Sequence, residues 1–169
     1  MTKIKGILFD KDGTLIDFNA IWLPVIYELV DGIVEEYNLQ AEKARDELLA
    51  SVGVSGNLVA ATGVFATGTG AEVGSALYDC LAEYDLKTEE REQFSHQVTS
   101  SFNALAQKYR QRILPIGKLS QTIPELKKRG FYLGTSTSDT RENTIMCLEK
   151  LGVLQYFDFW PLEKVNAHL

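Results

Sequence analysis

The sequence predicts an α/β protein, with a Rossmann-like core built on a parallel sheet and an inserted helical cap. Two apolar segments that end in polar residues, 4–9 and 131–136, are typical of strands buried in a parallel sheet. Between these two segments, apolar residues recur only at the spacing expected of helices. We therefore expect residues 1–16 and 113–169 to form the α/β core, and residues 17–112 to form an α-helical cap.

Composition and charge fit a soluble globular protein and disfavour several classes of partner. Apolar residues make up 45% of the 169 residues, and the formal net charge of −6 leaves no basic excess for nucleic acid. The most apolar helix, near residues 21–30, is interrupted by Pro24 and Glu28, so we expect no membrane span. Cys80 and Cys147 form neither a metal-binding nor a disulfide pattern, so we expect both to be reduced, in a cytoplasmic protein.

The first predicted strand, residues 4–9, delivers two carboxylates at its end. In an extended chain Asp10 and Asp12 share a side while Lys11 points away, and Gly13 permits a turn that leaves room for a ligand. Two carboxylates this close repel unless a cation or a shared proton intervenes, and Mg²⁺ bound by Asp10 and Asp12 is the simplest answer. One carboxylate would then act as nucleophile while the other carries a proton. A plain surface turn and a calcium loop are the alternatives; the buried strand and the lack of further acids disfavour them.

Helices are predicted throughout the cap, beginning with one that Asn19 caps and that runs to about Tyr37. The others are predicted at residues 41–52, at 71–84, and, capped by Thr88, at 88–112. The glycine-rich stretch 53–74 is interpreted either as a flexible connection between helices or as a substrate-facing loop. His96 lies off the apolar stripe of its helix and is given no role.

Beyond the cap, Thr122 and Glu125 form a capping-box pattern that predicts a helix ended by Gly130. The second predicted strand follows at residues 131–136. Asp158, close to the end of the apolar sequence, is expected to be a strand-edge residue rather than a metal ligand.

A second polar cluster follows strand 131–136. Thr137 and Ser138 stand at the strand's end, and residues 140–143 open another helix. Hydroxyls next to the free N–H groups of a helix start favour an anion. We expect Thr137 and Ser138 to surround one anion site together with Asp10 and Asp12, and the candidate phosphate-binding residues are Gly13, Thr137 and Ser138.

The segment Phe9-Asp10-Lys11-Asp12-Gly13-Thr14-Leu15 resembles the first motif of the haloacid dehalogenase superfamily of phosphohydrolases. The strand that ends in Thr137 and Ser138 resembles the second motif. The resemblance implies that Asp10 attacks phosphorus and becomes an aspartyl phosphate. It implies that Asp12 protonates the leaving oxygen and then activates water. It also implies that Mg²⁺ sits on Asp10 and on the main-chain carbonyl of Asp12.

The substrate is expected to be a small phosphorylated metabolite, because the opening of the chain and cap residues 67–72 are similar to phosphoglycolate phosphatase-like members. The family's third motif is a lysine and its fourth is one or more acids that hold Mg²⁺. Neither Lys164 nor Glu163 stands in a matching context after Phe159. We therefore expect a C-terminally shortened member with impaired phosphatase activity and an exposed sheet edge open to self-association. The alternatives are a non-catalytic remnant that binds a phosphometabolite or a protein, and a phosphomutase.

Overall fold

The computed structural model describes residues 4–84 and 90–160. These residues fall into two compact units, 4–21 with 109–160, and 22–84 with 90–108. The elements, in chain order, are β1 (Gly6–Asp10), α1 (Phe18–Glu36), α2 (Ala41–Ser51), β2 (Val54–Ser55), β3 (Leu58–Val59), α3 (Val64–Thr67), α4 (Gly70–Ala82), α5 (Arg91–Lys108), α6 (Leu119–Lys128), β4 (Tyr132–Ser136) and α7 (Arg141–Lys150). Short 3-10 helices cover Arg110–Arg112 and Leu154–Tyr156.

The first unit is organised around a parallel sheet formed by β1 and β4. Their residues pair in order, from Gly6 with Tyr132 to Asp10 with Ser136. Phe159 adds a parallel bridge at Gly134 of β4, and within the described part of the chain β1 pairs with β4 alone. The parallel pair confirms the predicted α/β core, and it brings the carboxyl ends of both strands to one edge.

The two faces of this sheet differ sharply in burial. On one face Leu133 is fully buried, and the Phe9 ring meets the Phe157 ring edge to face with 6.0 Å between centroids. On the other face Leu8 is 63% exposed and Tyr132 is 59% exposed. The expectation that the first strand is buried in the sheet therefore holds for one face only. On the other face the Phe159 ring lies over Gly134, but Leu8 and Tyr132 remain largely exposed.

Helix α6 begins earlier than its sequence pattern predicts. Its first residue is Leu119, so Thr122 lies inside the helix, and the capping box predicted from Thr122 and Glu125 is wrong. The N–H of Thr122 donates to the Lys118 carbonyl at 3.0 Å. Leu119 and Ile123 are both buried one helical turn apart, and this apolar pair extends the helix upstream of the predicted cap.

Helix α1 is capped by Asp17 rather than by Asn19. The Asp17 Oδ1 accepts the N–H of Ala20 at 3.2 Å, which places Asn19 inside the first turn and corrects the predicted cap. Trp22 is buried and stacks on Phe102 of α5 with 5.3 Å between ring centroids. Its role is core packing in the second unit.

A short β-hairpin interrupts the helices of the second unit, so the expectation of an entirely helical cap is wrong there. β2 and β3 pair antiparallel with Ser55 opposite Leu58, which leaves Gly56 and Asn57 as a two-residue turn. Gly56 has a φ of +52°, which suits the first central position of a type II′ turn. The Gly-Asn pair was a hairpin signal in the sequence, hidden among neighbouring glycines.

The glycines at residues 68–74 mark a helix start and a close packing of two helices. Thr69 and Glu72 form a capping box in which the Thr69 N–H donates to the Glu72 Oε2 at 2.7 Å. A β carbon on Gly74 would lie 2.7 Å from the Ser95 Cα of α5. The structure thus gives this stretch a packing role that neither sequence-based interpretation described.

The remaining expectations concern the last cap helix, the membrane and the cysteines. Helix α5 covers Arg91–Lys108, and the predicted Thr88 cap lies outside the described residues. A search of the described helices finds none with the length and apolar character needed to cross a membrane. Cys80 is a half-buried free cysteine, and Cys147 is a buried one.

Candidate active site

The carboxyl ends of β1 and β4 lie side by side, because Asp10 and Ser136 are register partners. Thr137 therefore follows next to Asp10, although the cap sequence separates the two residues along the chain. Asp10 and Ser138 are exposed, while Asp12 and Thr137 are half-buried. The fold thus brings the backbone positions of Asp10, Asp12, Thr137 and Ser138 to one edge of the sheet, the edge at which open α/β sheets bind their ligands.

The turn after β1 closes around the main chain of Lys11. The Lys11 carbonyl accepts the N–H of Leu15 at 2.9 Å and that of Ile16 at 3.1 Å. Gly13 has a φ of +79°, a conformation that glycine adopts without steric cost. Its N–H donates to the Ile16 carbonyl at 2.9 Å, so the turn returns the chain toward β1.

Lys11 is fully buried and contacts two carboxylates. Its Nζ lies 2.6 Å from the Asp12 Oδ2 and 3.0 Å from the Asp139 Oδ2. The prediction that Lys11 points away from Asp12 is therefore wrong. The alternation of an extended strand stops at Asp10, where β1 ends, and the turn brings the Lys11 and Asp12 side chains together.

The environment of Lys11 favours its charged form. Burial alone would lower the pKa of Lys11, but the carboxylates of Asp139 and Asp12 outweigh burial and raise that pKa above its ordinary value. A buried ammonium is therefore held between two acids, one on each of the two turns that meet at the site.

Asp139 organises the turn between β4 and α7. Its Oδ1 accepts the Thr140 N–H at 2.7 Å and the Asn143 Nδ2 at 2.9 Å, and its own N–H donates to the Thr137 Oγ1 at 3.2 Å. Thr140 caps α7, because its hydroxyl accepts the Asn143 N–H. Sequence reasoning missed both Lys11 and Asp139. The sequence signal that could have revealed Asp139 was its position, since it is an acid between the candidate phosphate-binding residues Thr137 and Ser138 and the helix cap Thr140.

The oxygen donors at the end of β1 fit Mg²⁺. This ion is commonly held by one or two carboxylates together with phosphate oxygens and water, and Asp10 and Asp12 offer such donors. In residues 4–84 and 90–160 there is no group of three or more His, Cys, Asp or Glu residues arranged to hold a metal. Glu163 and Lys164, weighed above as substitutes for the missing motifs, lie outside the described residues.

Asp158 lies next to the sheet, where it contacts Leu133 of β4 and Lys127 of α6, and this agrees with the predicted position at a strand edge. Its Oδ2 accepts the Leu133 N–H at 2.8 Å, and Lys127 places its Nζ 2.6 Å from the Oδ1. The Lys127 ammonium, and then the Leu133 N–H, lower the pKa of Asp158 below its ordinary value. These contacts tie α6 to the sheet and leave Asp158 with a structural role.

Comparison with known proteins decides the family. A family model described as haloacid dehalogenase-like hydrolase matches residues 4–163. The chain belongs to the haloacid dehalogenase-like hydrolase family. Among curated relatives of this haloacid dehalogenase-like chain is pyrophosphatase PpaX from Bacillus mycoides (strain KBAB4), which is 27% identical over 161 residues, covering 92% of this chain and 58% of the relative.

Solved structures of other haloacid dehalogenase-like proteins share the fold. A predicted phosphoglycolate phosphatase from Haemophilus somnus 129pt aligns with a TM-score of 0.59 and 18% identity, over 95% of this chain and 63% of that chain. A HAD phosphatase from Thermococcus onnurineus aligns with a TM-score of 0.57 and 18% identity, over 93% and 61%. YfnB from Bacillus subtilis, solved bound to magnesium, aligns with a TM-score of 0.54 and 17% identity, over 94% and 65%. This chain therefore spans roughly three fifths of the length of these proteins.

Proposed function

We propose that this chain carries the nucleophile and the phosphate-binding turn of a Mg²⁺-dependent phosphomonoester hydrolase. The observation that supports the proposal is the pairing of Asp10 with Ser136, the residue before Thr137, at the carboxyl edge of a parallel sheet. The family is one of hydrolases, and this edge is where open α/β sheets bind their ligands.

In the proposed reaction Asp10 acts first. One of its carboxylate oxygens attacks phosphorus, the bond to the leaving oxygen breaks, and Asp12 gives that oxygen a proton. A water molecule then attacks the aspartyl phosphate while Asp12 takes the proton back. Inorganic phosphate leaves, and the Asp10 carboxylate is restored.

The remaining site residues hold the phosphate. The Thr137 hydroxyl and the Ser138 N–H would donate to its oxygens, and Gly13 lets the main chain after β1 approach it, since no β carbon stands there. Mg²⁺, held by Asp10 and by the Asp12 main-chain carbonyl, would neutralise phosphate charge. Phosphoryl transfer depends chiefly on such positioning and neutralisation.

Turnover by the 169-residue chain is expected to be slow. Among the described residues, Lys11 is the cation in contact with the site carboxylates, and its side chain is fully buried beneath them. No further described lysine fills the third-motif position next to Asp10. Phosphate charge would therefore be compensated mainly by the metal, which has few protein ligands.

The proposed substrate is a small phosphorylated metabolite of the phosphoglycolate type. The sequence similarity of the opening motif supports this class. Inorganic pyrophosphate is the competing candidate, because a curated relative is a pyrophosphatase. A phosphomutase would use the same aspartates but would return the phosphoryl group to a sugar hydroxyl instead of to water.

The test is phosphate release by the 169-residue chain in the presence and absence of Mg²⁺, with phosphoglycolate and pyrophosphate as substrates. We expect slow release that EDTA and Asp10→Asn both abolish. Release that persists in Asp10→Asn would overturn the proposal. No release, combined with phosphate binding measured by calorimetry, would instead favour a non-catalytic phosphate-binding role, and phosphoryl transfer to a sugar phosphate would favour a mutase.

A further inference from the structure

The two turns that meet at the site are joined by a buried contact that the proposed chemistry does not use. Lys11 reaches from the turn after β1 to Asp139 in the turn after β4, with Nζ 3.0 Å from Oδ2. The same Nζ lies 2.6 Å from the Asp12 Oδ2. A single ammonium thus fixes the proposed acid–base carboxylate to the phosphate-binding turn.

Each end of this contact is itself anchored. The turn after β1 closes around the Lys11 carbonyl, which accepts the N–H groups of Leu15 and Ile16. Asp139 is fixed by the Thr140 N–H and the Asn143 side-chain amide. Movement of one turn would therefore break contacts on the other.

A contact of this kind is weak evidence for stability. Burying an ammonium and a carboxylate costs desolvation free energy that their attraction often only offsets, and uncharged replacements of a buried pair are often neutral. A stability role alone would therefore be served as well by apolar side chains. What apolar side chains would not supply is a directed contact to the Asp12 Oδ2.

We propose that Lys11 and Asp139 are positioning residues, which hold the Asp12 carboxylate in its productive orientation relative to the phosphate-binding turn. The inference rests on the proposed function for its kinetic consequence. Lys11 transfers no proton or phosphoryl group in the proposed reaction; its fully buried ammonium contacts the carboxylates of Asp12 and Asp139. Its effect is exerted through Asp12 on one side and through Asp139 and Thr137 on the other.

The test uses Lys11→Met, Asp139→Asn and the double variant, with Lys108→Met as the matched control. Lys108 forms a surface ion pair with Glu28, 2.6 Å from its Oε1, on the other unit. Lys11→Met removes the cation from both carboxylates, whereas Asp139→Asn leaves Lys11 in contact with Asp12 alone. Lys11→Met should therefore lower the thermal midpoint by about 10 °C, and Asp139→Asn should lower it by less. The double variant replaces the Lys11–Asp139 pair by uncharged side chains and leaves only the part-exposed Asp12 without its cation, so it should recover part of the midpoint lost in Lys11→Met.

The kinetic signature separates positioning from stability. In the double variant, kcat should remain about 100-fold below that of the parent chain while KM changes little, because a misplaced carboxylate costs rate rather than binding. Recovery of kcat together with the thermal midpoint would overturn the proposal. Lys108→Met should retain parental kcat and KM.

Hydrogen exchange gives a readout that needs no turnover. In the double variant, amide exchange should rise both in residues 11–16 and in residues 137–143, with the rest of the chain as in the parent. Unchanged exchange in either turn would overturn the coupling. Absence of activity in the parent chain would contradict the proposed function. Hydrogen exchange would still decide whether the two turns are coupled.

Discussion

Gly74 of α4 lies so close to Ser95 of α5 that a β carbon on Gly74 would fall 2.7 Å from the Ser95 Cα. Gly74→Ala should therefore force the two helices apart and lower the free energy of unfolding by about 1–3 kcal/mol, the usual cost of overpacking. Urea unfolding measures the change.

The matched control is Gly32→Ala in α1, since a β carbon there meets nothing within 4 Å. Alanine at an open helical position should raise the free energy of unfolding by about 0.5–1 kcal/mol. Equal effects of the two substitutions would contradict the packing argument.

The roles proposed for Asp10 and Asp12 predict a burst in an Asp12→Asn variant. With p-nitrophenyl phosphate the leaving group needs no proton, so Asp10 should still form the aspartyl phosphate, whereas hydrolysis of that intermediate lacks its base. We expect stoichiometric nitrophenolate release followed by turnover about 100-fold or more below the parent, by stopped-flow absorbance. Release without a burst, at the parental rate, would show that Asp12 does not carry the proton.

The two cysteines should differ in reactivity. Cys147 is fully buried, and burial raises its pKa to about 12, although the nearby Lys11 charge acts in the opposite direction. At about pH 8 its thiolate fraction is therefore roughly 10⁻⁴, so a disulfide reagent should leave it unmodified in the folded chain. Cys80 is half-buried, with its pKa raised mainly by burial, and should react slowly.

Labelling of the Cys80→Ala and Cys147→Ala variants with the disulfide reagent assigns a modification rate to each remaining cysteine. In urea, which unfolds the chain, the two modification rates should become equal. Fast modification of Cys147 in the native chain would contradict its burial in the core of the first unit.

Asp158 should make the free energy of unfolding of the chain depend on pH in the acid range. Its pKa is lowered from 3.8 by Lys127 and then by the Leu133 N–H. A depressed pKa in the folded state means that the stabilisation is present above the ordinary value of 3.8 and is lost as the pH falls through the lower folded value.

At pH values above 3.8, the free energy of unfolding of Asp158→Asn should therefore be smaller than that of the parent chain. The difference between the two should shrink as the pH is lowered. Lys127→Met should reduce the pH dependence only in part, because the Leu133 N–H still favours the carboxylate. A difference that stays constant through the acid range would refute the assignment.

The open face of the sheet predicts association between copies of this chain. Leu8 and Tyr132 are exposed on one face, and Ile4 and Phe159 are 74% and 45% exposed. Parallel sheets are normally covered on both faces, and within the described residues β1 also has an unpaired edge. We expect the mass measured by light scattering to rise with concentration, and Leu8→Lys to keep the chain monomeric. A parent chain that stays monomeric throughout would contradict the prediction.

The sequence was most informative where local chemistry decides the structure. The apolar run before Asp10 and the hydroxyls after residue 136 were sufficient to place two strand ends and to predict that they meet. Gly13 needed a positive φ, and Thr140 stood where a helix begins. These features depend on a few neighbouring residues, so the pattern alone carries them.

What the sequence did not reveal depends on contacts between distant segments. The Lys11 ammonium contacts Asp139 as well as Asp12, and no periodicity of the sequence links Lys11 to Asp139. Helix α6 starts at Leu119 because Leu119 and Ile123 are buried together, and this tertiary gain outweighs the capping pattern at Thr122. The exposure of Leu8 likewise depends on what covers the sheet, which a strand's own residues do not encode.

The pairing of β1 with β4 has a consequence for the order of folding. The two strands stand on opposite sides of Trp22–Lys108 in the sequence, so their union must close a loop that contains an entire compact unit. Contacts between segments far apart in the chain form slowly, whereas the helices of that contiguous unit need only local encounters. The nucleophile and the phosphate-binding turn come together only when the loop closes, so the capacity for chemistry should be among the last properties that the folding chain acquires.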